Sequence, residues 1–230
     1  MTARLVVLLS GRGTNFTALQ QAIHEGWLKA EICAAISDRD AAGLELAAGW
    51  GIDAVRIDRR RHPDRASFES SLAAAVTGYA PDWIVLAGFM RVLSTDFVTQ
   101  FLGRMINIHP SLLPKYRGLD THARALAAGD RDHGASVHFV TPELDGGPVL
   151  SQARLAILPD DDPERLAERL LPLEHQLLPA TMALLTSKPV ELRHEQILLD
   201  NQPLAGPLLL GHDLDDRRHF RPRGSVSEHG

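Results

Sequence analysis

Three side chains carry the chemistry that first marks this sequence as a candidate enzyme, and two of them lie close together. Asn107 and His109 are two residues apart in the segment MINIH at 105–109. On a β-strand this spacing directs both side chains to the same face. An amide and an imidazole there can donate hydrogen bonds to a developing oxyanion, and the imidazole can also move protons near neutral pH. A polar pair that only satisfies itself at a strand end is the alternative.

Asp145 is the third candidate and lies in the turn ELDGG at 143–147. If this turn folds over the strand that carries Asn107 and His109, the carboxylate can orient the imidazole and favour its protonated form. An aspartate before two glycines is also an ordinary turn sequence. No serine stands in a G-x-S-x-G nucleophile elbow, so the sequence does not indicate a covalent nucleophile.

A glycine-rich segment, SGRGTN at 10–15, is the second candidate site. Glycines allow the backbone to turn and to approach a ligand closely, and free N–H groups at a helix N-terminus favour a phosphate. The dinucleotide fingerprint G-x-G-x-x-G would need glycine where Phe16 stands, although Asp38 follows the next predicted strand as that fingerprint requires. A phosphate site, a nicotinamide site and a plain turn therefore all stay open.

Metal binding is not predicted, although the chain has 11 histidines. His133 and His138 lack the H-E-x-x-H spacing, and no acidic residue completes a recognisable triad with them. A structural or substrate-facing role is expected for both. The single cysteine, Cys33, excludes an internal disulfide and the CxxC zinc patterns.

Alternating strands and helices must position these residues. Short apolar runs at 5–10, 32–37, 54–57, 83–87 and 105–109 predict strands, with helices between them, the first of which Asn15 could cap. This alternation predicts an α/β fold with a mostly parallel central sheet flanked by helices, in which ligands bind at the carboxyl ends of the strands. Beyond residue 130 the pattern predicts a hairpin, a long helix at 163–186 and a small hairpin at 190–199.

Composition limits the function further. The chain has 230 residues, a net charge of −5, 44% hydrophobic residues and 23% charged residues. The mildly acidic balance disfavours a nucleic-acid binder with a broad basic face. No apolar stretch approaches the ~18 residues that span a bilayer, and no signal peptide is recognisable. We expect a cytoplasmic monomer or homodimer that binds small molecules, and neither nucleic acid nor a membrane.

Five motifs together resemble the phosphoribosylglycinamide formyltransferases, the folate-dependent family of purine synthesis. They are SGRGTN (10–15), LAGFMRVLS (86–94), NIHPSLLPKYRG (107–118), HGASVHFVTPELDGGPV (133–149) and LEHQLLP (173–179). NIHPSLLP with ELDGG is typical of the wider group of formyl-folate transferases and hydrolases. The glycine loop and HGASVHFV favour the glycinamide enzymes within it. The resemblance implies a Rossmann-like formyltransferase fold in one domain at 1–205, followed by a charged, frayed tail at 206–230.

The resemblance also implies an activity. The formyl group of 10-formyltetrahydrofolate, the co-substrate, would pass to the amine of 5-phosphoribosylglycinamide, giving formylglycinamide ribonucleotide and tetrahydrofolate without a metal. The catalytic residues would be Asn107, His109 and Asp145. The residues for the ribose phosphate and glycinamide would be Gly13, Thr14, Asn15 and Glu174. The residues for the folate would be Arg65, Met90, Arg91, Val92, Leu93, Asn107, Thr141 and Asp145.

The resemblance has further implications for single segments and residues. The segment 111–120 would form a mobile loop over the site, and 141–146 would shape the folate pocket. Asp38 becomes an ordinary acid at a strand end, because the glycine loop then binds a phosphate monoester. Asp120 departs from the family, whose members often have histidine at this position, and this puts the detailed loop contacts in doubt.

Other functions remain as alternatives. A formyltetrahydrofolate hydrolase normally has an N-terminal regulatory domain, and a methionyl-tRNA formyltransferase usually has a C-terminal tRNA domain; we expect neither in this chain. A non-catalytic module that binds a phosphate or nucleotide would explain the glycine loop and the sheet. It would leave Asn107, His109 and Asp145 without a shared purpose.

Overall fold

The computed structural model describes residues 2–214 and builds them around an eight-stranded sheet. Six α-helices and eleven strands follow one another along this part of the chain. In chain order they are β1 (Ala3–Leu9), α1 (Thr14–His24), β2 (Ala30–Ser37), α2 (Ala42–Gly49), β3 (Asp53–Arg56), α3 (Arg65–Gly78), β4 (Trp83–Leu86), α4 (Thr95–Gln100), β5 (Met105–His109), α5 (Thr121–Ala127), β6 (Asp132–Phe139), β7 (Val149–Ala156), α6 (Pro163–Ser187), β8 (Val190–Arg193), β9 (Gln196–Leu199), β10 (Gln202–Pro203) and β11 (Leu208–Leu209). A short 3₁₀ helix, Arg59–Arg61, lies between β3 and α3.

The predicted parallel sheet is confirmed. Its strand order is β11-β7-β6-β5-β4-β1-β2-β3, and the pairs from β3 to β5 are all parallel. β6 and β7 form the predicted hairpin and pair antiparallel with each other, and β6 also pairs antiparallel with β5. The chain proceeds from β1 to one side and then from β4 to the other. This reversal leaves a crevice at the carboxyl ends of β1 and β4, where open α/β sheets bind ligands.

Two apolar layers explain why the central strands read as continuous hydrophobic runs. On one face α1, α2 and α6 pack side chains such as Phe16, Ala47 and Leu177 against the sheet. On the other face α3 and α4 contribute Phe68 and Phe97 among others. A strand covered on both faces has no side for polar residues, so polar side chains collect at its carboxyl end.

Several local predictions need correction. Asn15 does not cap α1, because the helix begins at Thr14 and the capping position is Gly13, without a side-chain hydrogen bond. The sequence did not predict helix α5 or strand β11. Of the predicted tail, Leu208–Leu209 pairs with β7, whereas 215–230 lie outside the described residues. Within residues 2–214, no helix is long and apolar enough to cross a membrane.

Candidate active site

Strand β5 presents Asn107 and His109 on one side, as the two-residue spacing predicts. The alternate residues Ile106 and Ile108 are buried in the apolar layer on the opposite face. His109 is buried and Asn107 is half-buried. Both line a cavity of about 530 Å³ at the carboxyl edge of the sheet, and Asp145 lines it as well. The structure therefore brings the three predicted catalytic residues together.

The His109 imidazole faces an oxygen at each ring nitrogen. Its Nε2 donates a hydrogen bond to the main-chain carbonyl of Tyr116, at 3.0 Å. Its Nδ1 lies 3.5 Å from Oδ2 of Asp145, too long for a good hydrogen bond but close for an ion pair. A carbonyl can only accept, so Nε2 carries a hydrogen, and a second hydrogen on Nδ1 would face the carboxylate. Both ring nitrogens therefore face acceptor oxygens.

Asp145 is held over the strand end by its turn and by the loop at 111–120. Its backbone is left-handed, with φ of 46°, and its Oδ2 accepts a hydrogen bond from the Gly118 N–H at 2.9 Å. The turn packs tightly on β6, because a Cβ added to Gly147 would lie 1.9 Å from the Phe139 carbonyl oxygen. Only glycine allows this approach. The loop therefore contacts both His109 and Asp145.

His138 fixes the orientation of the Asn107 amide. The two residues face each other across the β5–β6 pair, with Nδ2 of Asn107 at 3.1 Å from Nε2 of His138. Nδ1 of His138 donates to the Phe139 carbonyl at 2.9 Å, and burial lowers the pKa of His138 to about 4. The neutral ring can then only accept at Nε2. Asn107 donates one amide hydrogen there and keeps the other for a ligand.

The glycine loop and α6 form the opposite wall of the cavity. Nδ2 of Asn15 donates to Oε2 of Glu174 at 2.8 Å, and both residues line the cavity. Burial raises the pKa of Glu174, and the bond from Asn15 offsets part of this shift. Gly13 has φ of 77°, and a Cβ there would lie 2.8 Å from the Cα of Gly43. Gly13 is beside this cavity without lining it, and Thr14 lines a separate groove.

Most of the predicted folate residues line either this cavity or a smaller one of about 90 Å³ that adjoins it. The two cavities share Asn107, Asp145 and four other lining residues. Met90 and Val92 are 62% and 60% exposed, which is unusual for such apolar side chains. The predicted residues along the two cavities are Met90, Arg91, Val92, Leu93, Asn107, Thr141 and Asp145.

Arg65 is the exception among the predicted folate residues, because it lines neither cavity. Its Nη2 donates to the Val92 carbonyl at 2.8 Å, and its Nε donates to Glu69 at 2.8 Å. Glu69 in turn accepts hydrogen bonds from Ser94. In this structure Arg65 therefore supports the segment that carries the predicted folate residues and does not reach the cavity itself.

Sequence reasoning missed several neighbours of the site. The Tyr116 carbonyl and the Gly118 N–H could not be found from side-chain patterns, because both are backbone groups. A pairing of His122 with His133, whose ring nitrogens are 3.0 Å apart, also went unpredicted. Burial lowers the pKa of both rings. In the described part of the chain, no three histidine, cysteine or acidic side chains gather closely enough to hold a metal ion.

Comparison with known proteins gives consistent results. The family model described as formyl transferase matches residues 3–182. The phosphoribosylglycinamide formyltransferase of Escherichia coli (strain K12) is 41% identical over 201 residues, which is 87% of this chain and 95% of that protein. The solved structure of the phosphoribosylglycinamide formyltransferase from Coxiella burnetii is 48% identical, with a TM-score of 0.86, and the match covers 90% of this chain and 100% of that one. The crystal structure of glycinamide ribonucleotide transformylase 1 from Symbiobacterium toebii is 37% identical, with a TM-score of 0.83. The match covers 86% of this chain and 94% of that one.

Proposed function

The chain belongs to the formyl transferase family, and we infer that it transfers a formyl group to the amine of 5-phosphoribosylglycinamide, a step of purine biosynthesis. We propose 10-formyltetrahydrofolate as the donor, so that the products are formylglycinamide ribonucleotide and tetrahydrofolate. The observation that carries this proposal is the convergence of Asn107, His109 and Asp145 on one cavity. A non-catalytic binding module would not need that convergence.

The proposed reaction is a direct transfer between the two bound substrates. The amine nitrogen of the glycinamide attacks the formyl carbon, and the bond from this carbon to the folate nitrogen then breaks. Asn107 donates a hydrogen bond to the oxyanion formed in between. Protonated His109 donates a second one from Nε2, which must first leave the Tyr116 carbonyl that it contacts in this structure. The free amide hydrogen of Asn107 supports this role, because His138 already engages the other one. A site of this kind stabilises the transition state without a covalent enzyme intermediate.

Asp145 has an electrostatic role in the proposal. Its carboxylate lies beside Nδ1 of His109 and favours the positive charge that the imidazole carries while it donates to the oxyanion. One proton must also leave the attacking amine and one must reach the folate nitrogen that departs. We assign this transfer to Asp145, through water in the cavity. Holding both substrates in one cavity lowers the barrier further by proximity.

The two substrates would enter from different sides of the catalytic group. Backbone N–H groups at the start of α1, from Gly13 to Asn15, would bind the ribose phosphate, and Glu174 would contact the same substrate. The folate would occupy the smaller cavity and the apolar mouth near Met90 and Val92, since a flat aromatic ligand replaces water favourably on such a surface. The net charge of −5 means that these local groups must attract both anions.

An absorbance assay tests the activity. Release of the folate product from a 10-formylfolate donor is followed with and without glycinamide ribonucleotide. We expect release only when the amine is present, and His109→Ala should abolish most of it in a folded protein. Release with water alone would instead indicate a formyltetrahydrofolate hydrolase. Binding of phosphorylated ligands without any release would indicate the non-catalytic module.

The remaining properties stay predictions. We propose that the enzyme acts in the cytoplasm on small molecules, without nucleic acid or a membrane as partner and without a metal. Its assembly state, monomer or homodimer, can be measured by light scattering.

A further inference from the structure

Asp38, at the end of strand β2, is a buried carboxylate with an unusual set of partners. Its side chain is 0% exposed. Its Oδ1 accepts a hydrogen bond from the Ser10 hydroxyl at 2.6 Å. Its Oδ2 accepts from Nε of Arg91 at 2.7 Å and from Nη2 of Arg39 at 2.8 Å. The expectation that Asp38 is an ordinary acid at a strand end is therefore wrong.

Ser10 extends this contact to a second loop. Its hydroxyl accepts a hydrogen bond from the Met90 N–H at 2.9 Å, while its own N–H donates to the Gly88 carbonyl at 3.0 Å. Ser10 opens the glycine loop that follows β1, and the segment from Gly88 to Arg91 follows β4. Asp38 and Ser10 thus tie together the loops proposed to hold the two substrates.

The hydrogen-bond donors around Asp38 explain why its buried side chain is ionised. Burial alone would raise the pKa of Asp38, but the hydrogen bonds from Arg39, Ser10 and Arg91 hold it below its ordinary value. The group is therefore ionised at neutral pH. A buried charge that loses such partners is costly, so the arrangement resists loosening.

The contact with Asp38 orients the Arg91 guanidinium at the edge of the two cavities. Asp38 holds the guanidinium by its Nε edge, and the side chain is 41% exposed at the wall of both cavities. Neither Nη atom of Arg91 makes a hydrogen bond to any of the described residues. The outer edge of the guanidinium is thus presented to a ligand, with the fork geometry that matches a carboxylate.

We propose that Asp38 is a positioning residue for both substrates. It orients Arg91 toward a carboxylate of the folate, and through Ser10 it fixes the position of the glycine loop relative to the 88–91 segment. The inference rests on the proposed function for the identity of the two substrates, and its tests begin from a wild-type enzyme that forms the expected product. Failure to form product would count against the proposed function and not against Asp38.

The first test is steady-state kinetics of Asp38→Asn, which keeps the size of the side chain and removes its charge. We expect the KM for the 10-formyl donor to rise about tenfold, the value of one charge-assisted hydrogen bond, while kcat stays within about threefold. In an Arg91→Ala background the same change should raise this KM less than about twofold, because the contact is already lost. Asp40→Asn is the matched control, since Asp40 is exposed and pairs with Arg56.

The second test distinguishes the contact between Ser10 and Met90 from the contact between Asp38 and Arg91. Ser10→Ala removes the link to Met90 and leaves Asp38 paired with Arg91, so we expect the KM for the phosphorylated amine to rise together with that for the donor. Thermal unfolding reports whether each variant folds. If Asp38→Asn does not fold, Arg91→Lys replaces it, because lysine lacks the Nε that Asp38 grips and should raise the donor KM about tenfold.

Three results would overturn the proposal. Unchanged KM values in folded Asp38→Asn would show that the carboxylate is only structural. An equal effect of Asp38→Asn with and without Arg91 would show that it does not act through that residue. A loss of kcat alone would place its effect in the chemical step.

Discussion

Replacement of Asn107 by alanine tests the oxyanion assignment most directly. The change removes one hydrogen-bond donor from the place where charge develops, which typically costs about 3 kcal/mol of transition-state stabilisation. A loss of this size lowers kcat about 100-fold. The folded state should suffer much less. His138 loses the amide that donates to its Nε2, and a single unpaired acceptor beside an open cavity costs about 1 kcal/mol.

These two magnitudes can be measured separately. The kcat comes from the absorbance assay with both substrates at saturation, and thermal unfolding gives the stability. In a protein of this size, about 1 kcal/mol corresponds to a shift in Tm of roughly 2–4 °C. Gln100→Ala is the matched control, because it removes an exposed amide from α4, away from both cavities. It should change neither kcat nor Tm appreciably.

A second substitution at position 107 tests the donor role of the amide more sharply. Asn107→Asp keeps the size of the side chain but replaces the donor by a carboxylate, which would repel the oxyanion. We expect its kcat to be lower still than that of Asn107→Ala. An aspartate variant as active as the alanine variant, or an alanine variant within about fivefold of wild type at saturation, would refute the donor role.

Three other predictions follow from the same contacts. Asp145→Asn should leave substrate binding largely intact but lower kcat and shift its pH profile; an unchanged profile would reduce Asp145 to a turn residue. Glu174→Gln should raise the KM for the phosphorylated amine. Because burial raises the pKa of Glu174, the folded state holds its proton more tightly than the unfolded state, and stability should fall as pH rises above 4.5. Denaturant unfolding at several pH values should show a smaller fall in the glutamine variant, and an identical fall would contradict this. Gly147→Ala should destabilise the protein by about 1–3 kcal/mol through contact with the Phe139 carbonyl, whereas Gly78→Ala, with open space around its Cβ position, should not; equal Tm values for the two would contradict it.

Much of the architecture could be predicted because it depends on local patterns. The apolar run of β1 and the helical spacing of α3 are local properties, and the structure confirms both. The shared face of Asn107 and His109 follows from the two-residue period of a strand. The approach of Asp145 was less determined, since its residues alone left an ordinary turn open and the resemblance to a known family favoured a turn over β5. The roles of these residues stay predictions until the variants are measured.

Other features could not be predicted because they join segments that are far apart in the chain. Asn15 was predicted to cap its own helix but instead bonds to Glu174 on α6. The sequence predicts an ordinary acid at Asp38, whereas in the structure the loops after β1 and β4 place Ser10 and Arg91 against its carboxylate. Likewise, the β5–β6 register alone places His138 opposite Asn107.

The sequence by itself determined the order and kind of most elements, the face on which the proposed catalytic pair lies and the family that the motifs resemble. Periodicity and turn chemistry act over a few residues, so they can be read along the chain. Only the tertiary structure decided which groups complete the site. Backbone atoms such as the Tyr116 carbonyl carry no sequence signal, and a hydrogen bond between distant segments exists only once strand order and register bring its two atoms within about 3 Å.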